Sequence, residues 1–267
     1  MLRRAPLTVG LVLLAAILLG GCAGRSAPPE FVLHPPETEV QPDWQPADAK
    51  PNHLALAQDL MEQGHYAVAM RQLFLAAEAD SSDPEPYYLL GICQRETGNW
   101  PEAKDNFQHA VDRDRDYAPA YNGLGIAYFM KKQYASAHEA MAKAVSLNPA
   151  DPDFLNDLGV LEMQTHRTQQ ALSRFRQCLR VSPDHVRAKN NMAECMVLLG
   201  RDDAALDFLE QHFPPAVACN NLGGIYERVG YRPRARVMFV RALALDPDLA
   251  AARRNLNRLE TKENSQP

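Results

Sequence analysis

Residues 118–151 read "APAYNGLGIAYFMKKQYASAHEAMAKAVSLNPAD", and the alanine at 137 within them is one of a series. Alanine also stands at 69, 103, 171 and 205, giving four successive steps of 34 residues, and again at 235 after a step of 30. Self-similarity at this period marks a chain built from stacked supersecondary units. Laid out from 50, 84, 118, 152, 186 and 216, the units carry Leu56, Leu90, Leu124, Leu158, Met192 and Leu222 at position 7. Position 8 is Ala57, Gly91, Gly125, Gly159, Ala193 and Gly223, and position 24 is Leu73, Phe107, Met141, Phe175, Leu209 and Phe239. A small residue at position 8 and alanine at position 20 let two antiparallel helices approach closely, and the large apolar residues at 7 and 24 fill the space beside that contact. Asp83-Pro84 and Asp151-Pro152 read as an N-cap followed by a first helical residue. Pro149, Pro183 and Pro247, all at position 32, close the second helix.

This pattern resembles the tetratricopeptide repeat, with Tyr128 and Tyr226 at the family's eleventh-position tyrosine and Tyr87 and Tyr121 at its fourth-position aromatic. The resemblance implies an all-α fold over residues 50–262: a right-handed superhelix of about six helical hairpins, each stable only when stacked on its neighbours. The first unit lacks the glycine and the proline. After the sixth, Leu256 among Arg253, Arg254, Asn257 and Arg258 reads as a polar-faced capping helix over 250–262, with a disordered tail over 263–267. Unit five is four residues short, about one helical turn. Pro214-Pro215 must end its second helix, which predicts a truncated helix and a local change in superhelix direction.

In the resembling family, the first helix of each hairpin lines the concave surface through positions 2, 5, 9 and 12. Here position 5 is Asn122, Asn156, Asn190 and Asn220 in units three to six, and position 6 adds Asn191 and Asn221, with Asp157 in unit four. Asparagine is a poor helix former and costly to bury unpaired, so propensity does not account for the series. An amide has one acceptor and two donors, and a ladder of amides can pair with the main chain of an extended peptide whatever its sequence. The alternative is that these amides cap loops or pair between adjacent helices. Positions 9 and 12 supply Ile92, Ile126, Phe129, Val160, Met163 and Val197, which face the groove if the register holds and are packing residues if it is off by one. The clamp that grips a peptide carboxylate in some relatives needs basic residues at positions 2, 5, 6 and 9. Position 5 here has none, and Arg187 is the only basic residue at position 2 of the central units.

The N-terminus differs in kind. Arg3 and Arg4 precede an apolar run over 9–21, too short to span a bilayer and laid out as a signal peptide. It ends in Leu19-Gly20-Gly21-Cys22, which resembles the lipobox of bacterial lipoproteins. The resemblance implies cleavage after residue 21, diacylglycerol and acyl modification of Cys22, and, with Ala23 next, sorting to the outer membrane on its periplasmic face. A plain signal peptide with Cys22 incidental is the alternative. Residues 23–49 carry six prolines and read as an extended linker reaching about 30 Å as a coil or up to about 80 Å as polyproline II. Removal of 1–21 leaves 26 basic against 33 acidic residues, a net charge of −7, which argues against nucleic acid or an anionic lipid surface as partner. An acyl tether needs no basic patch.

No P-loop, His-Glu-x-x-His or Cys-x-x-Cys motif occurs, and the eight histidines fall at unrelated repeat positions, so no metal site or cofactor is expected. Cys178 and Cys195 fall on surfaces that meet when hairpins stack, where a disulfide or two buried thiols would both fit. The reading is a non-catalytic protein-binding scaffold. Lipobox, linker and six repeats together resemble the lipoproteins that assist type IV and Flp/Tad pilus assembly, and an adaptor for peptidoglycan enzymes is the second reading. The expected partner is a protein or extended peptide in the concave groove, with the membrane reached through the lipid alone.

Overall fold

The computed structural model describes residues 52–264; the expected signal peptide, Cys22 and the Pro-rich segment lie outside them. Among the described residues there are thirteen α-helices and no strand. They are α1 (His53–Glu62), α2 (Tyr66–Ala79), α3 (Glu85–Glu96), α4 (Trp100–Arg113), α5 (Ala118–Met130), α6 (Tyr134–Leu147) and α7 (Pro152–Gln164). The series continues with α8 (Thr168–Val181), α9 (Val186–Leu198), α10 (Asp202–His212), α11 (Pro215–Arg228), α12 (Arg232–Leu245) and α13 (Ala250–Asn264). The last helix runs through Asn264, so residues 263 and 264 are helical rather than part of a tail.

Each odd helix packs on the even helix that follows it and on the even helix that precedes it. From α3 onward each odd helix also touches the next odd one, whereas no two even helices pack together to a comparable extent. Elements that meet their second neighbours lie on the inner side of a curved stack, so the odd helices form the concave row of a repeat superhelix.

One turn recurs in every hairpin. Gly64, Gly98, Lys132, His166, Gly200 and Gly230 all have positive φ, and they are spaced by the same steps of 34 and 30 as the alanines. At each, two backbone bonds close the first helix, as in Gly98 N–H to Arg95 C=O and Asn99 N–H to Gln94 C=O. This is the Schellman arrangement, which needs one left-handed residue and so favours glycine. Units three and four place Lys132 and His166 there instead.

The close approach inside each hairpin follows size-matched pairs. A Cβ added at Gly91 would lie 2.5 Å from the Phe107 ring, at Gly159 2.7 Å from Phe175, and at Gly223 2.6 Å from Phe239, while at Gly125 it would meet Met141 Cγ at 2.4 Å. Where position 24 is the smaller leucine, position 8 is alanine: Ala57 with Leu73, and Ala193 with Leu209. All of these side chains are buried.

N-capping is partly as read. Asp151 Oδ1 accepts from the Asp153 and Phe154 N–H groups at the start of α7. At α3 the helix starts one residue later than read, with Pro84 at the N-cap and Asp83 accepting from Glu85 N–H.

The shortened unit is resolved into three local changes. α10 has 11 residues where α2, α4, α6, α8 and α12 have 14. The join to α11 is only Phe213 and Pro214, against four residues between α8 and α9, and α11 gains one residue at its start. Together these make up the four missing residues. As a result α9 and α11 touch along more of their length than any other inner pair.

Candidate functional site

Position 5 of one unit and position 6 of the next are 35 residues apart, and across the solenoid they meet. Asn122 Nδ2 donates to Asp157 Oδ2 at 2.9 Å, Asn191 Nδ2 to Asn156 Oδ1 at 3.0 Å, and Asn255 Nδ2 to Asn220 Oδ1 at 2.9 Å. Asn156 Nδ2 also donates to Asp157 Oδ1 at 3.2 Å. The amides therefore form a relay that ties α5 to α7, α7 to α9 and α11 to α13, which is the pairing between adjacent helices that the sequence left open as an alternative. Asn122 and Asn156 are buried, and at this depth pairing between side chains satisfies their amide nitrogens without any ligand. Burial holds the Asp157 carboxyl above the usual carboxylate range, with the Asn122 and Asn156 amides opposing that shift.

One link is different. At the shortened join the 35-residue step becomes 31, between Asn190 and Asn221, and no bond forms across it among the described residues. Asn190 Nδ2 turns back to the Val186 carbonyl at 3.2 Å, and its Oδ1 is buried with no protein partner. Asn220 Nδ2 reaches Asn221 Oδ1 at 3.5 Å.

The relay ends on a cavity of about 970 Å³ on the inner face from α7 to α13, at the upper end of the range for ligand clefts. Asn190, Asn191, Asn220, Asn221 and Asn255 line it, with Asn156 and Asp157 at one side. Arg187, Arg228 and Arg258 stand around the opening, each already paired: Arg187 with Asp153 at 2.5 Å, Arg228 with Glu194 at 2.5 Å, and Arg258 with Glu227 at 2.6 Å. Guanidinium groups held by one carboxylate retain further donors for a ligand. Gly224 lies in the wall, where an added Cβ would meet nothing closer than an Arg228 nitrogen at 3.9 Å.

The structure thus brings together Asn156, Asn190, Asn191, Asn220, Asn221 and Val160, and separates the rest of the predicted set. Asn122 is bonded to Asp157 and does not line the cavity. Met163 and Val197 are 7% and 3% exposed and sit in the core clusters of α7–α9 and α9–α13. Ile92, Ile126 and Phe129 are half-buried and pack against core clusters. The apolar strip along the groove is therefore corrected: position 12 of α7 and of α9 turns into the stack, whereas Glu227 at that position of α11 lines the cavity, and of the six predicted residues only Val160 reaches it. Arg228, Arg258, Glu227 and Gly224 were missed. Asn255 was missed too, although it lies 35 residues after Asn220, the spacing that joins Asn122 to Asp157.

Among the described residues no group of three or more His, Cys, Asp or Glu could hold a metal ion. Cys93, Cys178, Cys195 and Cys219 are free and buried. Cys178 Sγ donates to the Pro152 carbonyl at 3.1 Å rather than bridging to Cys195.

Comparison with known proteins agrees with the geometry. Four models of the tetratricopeptide repeat match residues 54–103, 118–151, 162–218 and 218–252. Protein FlbA of Caulobacter vibrioides is 25% identical over 208 residues, 76% of this chain and 35% of that protein. A DnaJ homolog subfamily C member 7 homolog of Dictyostelium discoideum is 23% identical over 169 residues, 57% of this chain and 31% of that protein. The chain thus spans about a third of these curated relatives. Among solved structures, that of Pseudomonas aeruginosa pilF superposes with a TM-score of 0.59 at 18% identity, covering 79% of this chain and 96% of that one. YrrB, described as a TPR protein with an unusual peptide-binding site, gives 0.52 at 22% identity, covering 72% and 97%. At these identities the likeness speaks to the fold. The four matched segments together take in well over half of the chain, and with the hairpin stack they place it among the tetratricopeptide-repeat proteins.

Proposed function

We propose that the protein is a non-catalytic scaffold that holds an extended segment of a partner protein in the groove between α7 and α13. The observation that carries this reading is the cavity of about 970 Å³ walled by six asparagines and three arginines on the inner helices. Amides and guanidinium groups recognise main-chain carbonyls and amides through hydrogen bonds and make little demand on side-chain identity. A concave wall with few apolar side chains suits a peptide better than a drug-like or lipid molecule.

The same proposal extends to the N-terminus. Residues 3–22 have the order of a lipoprotein signal, which supports acylation at Cys22 and an outer-membrane tether facing the periplasm. Lipobox, Pro-rich segment and six repeats in that order support a role in assembling a pilus or secretion channel.

Two experiments test the parts separately. Gly224→Trp fills the cavity wall where there is open space, so it should leave the melting temperature unchanged and abolish the crosslinked partner found with the native chain in cell envelopes. An unchanged crosslink would refute the groove. Cys22→Ser should release the chain from the membrane fraction and remove the acyl mass, and a chain still membrane-bound would refute the tether.

A further inference from the structure

The break in the amide relay is a site in its own right. Three of the four links between inner helices from α5 to α13 are closed by an amide bond, and the open one is at the join shortened by Pro214-Pro215. The open link leaves two complementary groups. On α9, Asn190 Oδ1 is a buried acceptor without a partner in the protein. On α11, the Asn221 nitrogen donates to nothing among the described residues, since its carboxamide is engaged only through Oδ1. The orientation of Asn190 is fixed by chemistry: the Val186 carbonyl can only accept, so the group facing it must be the nitrogen and the oxygen must point away.

Two other buried atoms also have no protein partner, Asn122 Oδ1 and Glu162 Oε2. Neither residue lines the cavity, whereas Asn190 and Asn221 both do. An unpaired buried acceptor costs stability that the fold recovers only when a donor arrives.

Resting on the reading of the groove as a peptide site, we propose that Asn190 and Asn221 form its anchoring rung, where one peptide unit of an extended ligand closes the relay. The ligand N–H donates to Asn190 Oδ1, and the adjoining ligand C=O accepts from Asn221 Nδ2. The deletion in unit five creates this site by pulling the two amides out of register. The other rungs, Asn122 with Asp157, Asn156 with Asn191 and Asn220 with Asn255, are structural because a hydrogen bond between their side chains already spans each link. Little must move for the ligand to enter: the Asn220 to Asn221 bond, at 3.5 Å, is the longest of the set, so the Asn221 carboxamide turns at small cost. Recognition by this rung reads the main chain and requires a free N–H, which excludes proline at the anchoring residue.

The test uses the full chain and a blocked, uncharged hexapeptide of alternating serine and threonine as probe, followed by NMR of the side-chain amides. The Asn190 and Asn221 signals are expected to shift together, ahead of those of Asn122 and Asn156. Methylation of the probe's backbone nitrogens should weaken binding about tenfold or more, as should Asn190→Leu, since each removes one hydrogen bond whose partner stays unpaired. Asn190→Leu should keep or raise the melting temperature, because its Oδ1 has no partner in the fold and its Nδ2 only reaches back to the Val186 carbonyl of its own helix. Asn156→Leu, which opens a closed rung, should lower it.

Equal binding by Asn190→Leu, or by the methylated probe, overturns the rung and leaves the groove standing. A loss of stability in Asn190→Leu as large as that in Asn156→Leu also overturns it, because the acceptor is then satisfied inside the fold. No binding by the probe at any concentration removes main-chain recognition at this rung. In that case the Gly224→Trp crosslinking experiment still decides separately whether the groove takes a partner.

Discussion

Replacing Gly159 by alanine puts a Cβ 2.7, 3.0 and 3.1 Å from three ring carbons of Phe175, a side chain with no exposed surface. Contacts under 3.0 Å must relax, and the ring is fully buried in the cluster that holds Leu155, Ala171 and Leu172. Overpacking of this kind costs about 1 to 3 kcal/mol, set against about 1 kcal/mol gained from alanine over glycine in a helix. Gly159→Ala should therefore destabilise by roughly 0 to 2 kcal/mol. Phe175→Leu alone removes ring volume and leaves a cavity, at about 1 to 2 kcal/mol. The double variant recreates the pairs Ala57 with Leu73 and Ala193 with Leu209 that the chain already uses. It should recover most of both losses, with a coupling energy of about 1 to 3 kcal/mol. Urea unfolding of the four chains, followed by circular dichroism, measures the cycle. Additive losses in the double variant would refute the claim that positions 8 and 24 are matched by size.

Further expectations can be checked on the same material. Lys132→Gly and His166→Gly relieve left-handed backbone at φ 58° and 61° and should each raise stability by about 1 kcal/mol, with no gain expected from Thr165→Gly one residue away. Arg228→Ala leaves the 7%-exposed Glu194 without its two charge-assisted bonds. Because the arginine is half exposed, the loss should be about 1 to 2 kcal/mol rather than the larger cost of a fully buried pair, and Arg228→Lys should not restore it. Burial pushes the Cys93 and Cys178 thiols up to about 11 and Cys195 up to about 12, so the native chain should resist maleimide at neutral pH and react fully once unfolded. The sign follows from linkage. These thiols keep their protons in the native state at pH values where the unfolded state has lost them, so stability should fall as pH rises above about 9 through the native values.

Much of the fold was legible because the repeat states it several times. Positions 7, 8, 20 and 24 report the same contact in six units, and the proline doublet at 214–215 located the shortened helix. The site was less legible, since position 5 and position 6 amides look alike whether they face a ligand or each other. Only the 35-residue offset, from Asn122 to Asp157 and from Asn220 to Asn255, separates the two cases. The apolar residues at position 12 were misplaced for a related reason. Periodicity gives a helix face, while the angle at which α7 and α9 pack decides whether Met163 and Val197 turn to the groove or to the stack.

Partners held on the inner helices between α7 and α13 should be reachable from that face and not from the outer one. A photo-crosslinking amino acid placed at Arg187, exposed at the cavity opening, and at the exposed Arg176 of the outer helix α8 tests this in the native envelope. A discrete partner adduct is expected from position 187 and none from 176; an adduct from 176 with none from 187 would contradict the inner-face site.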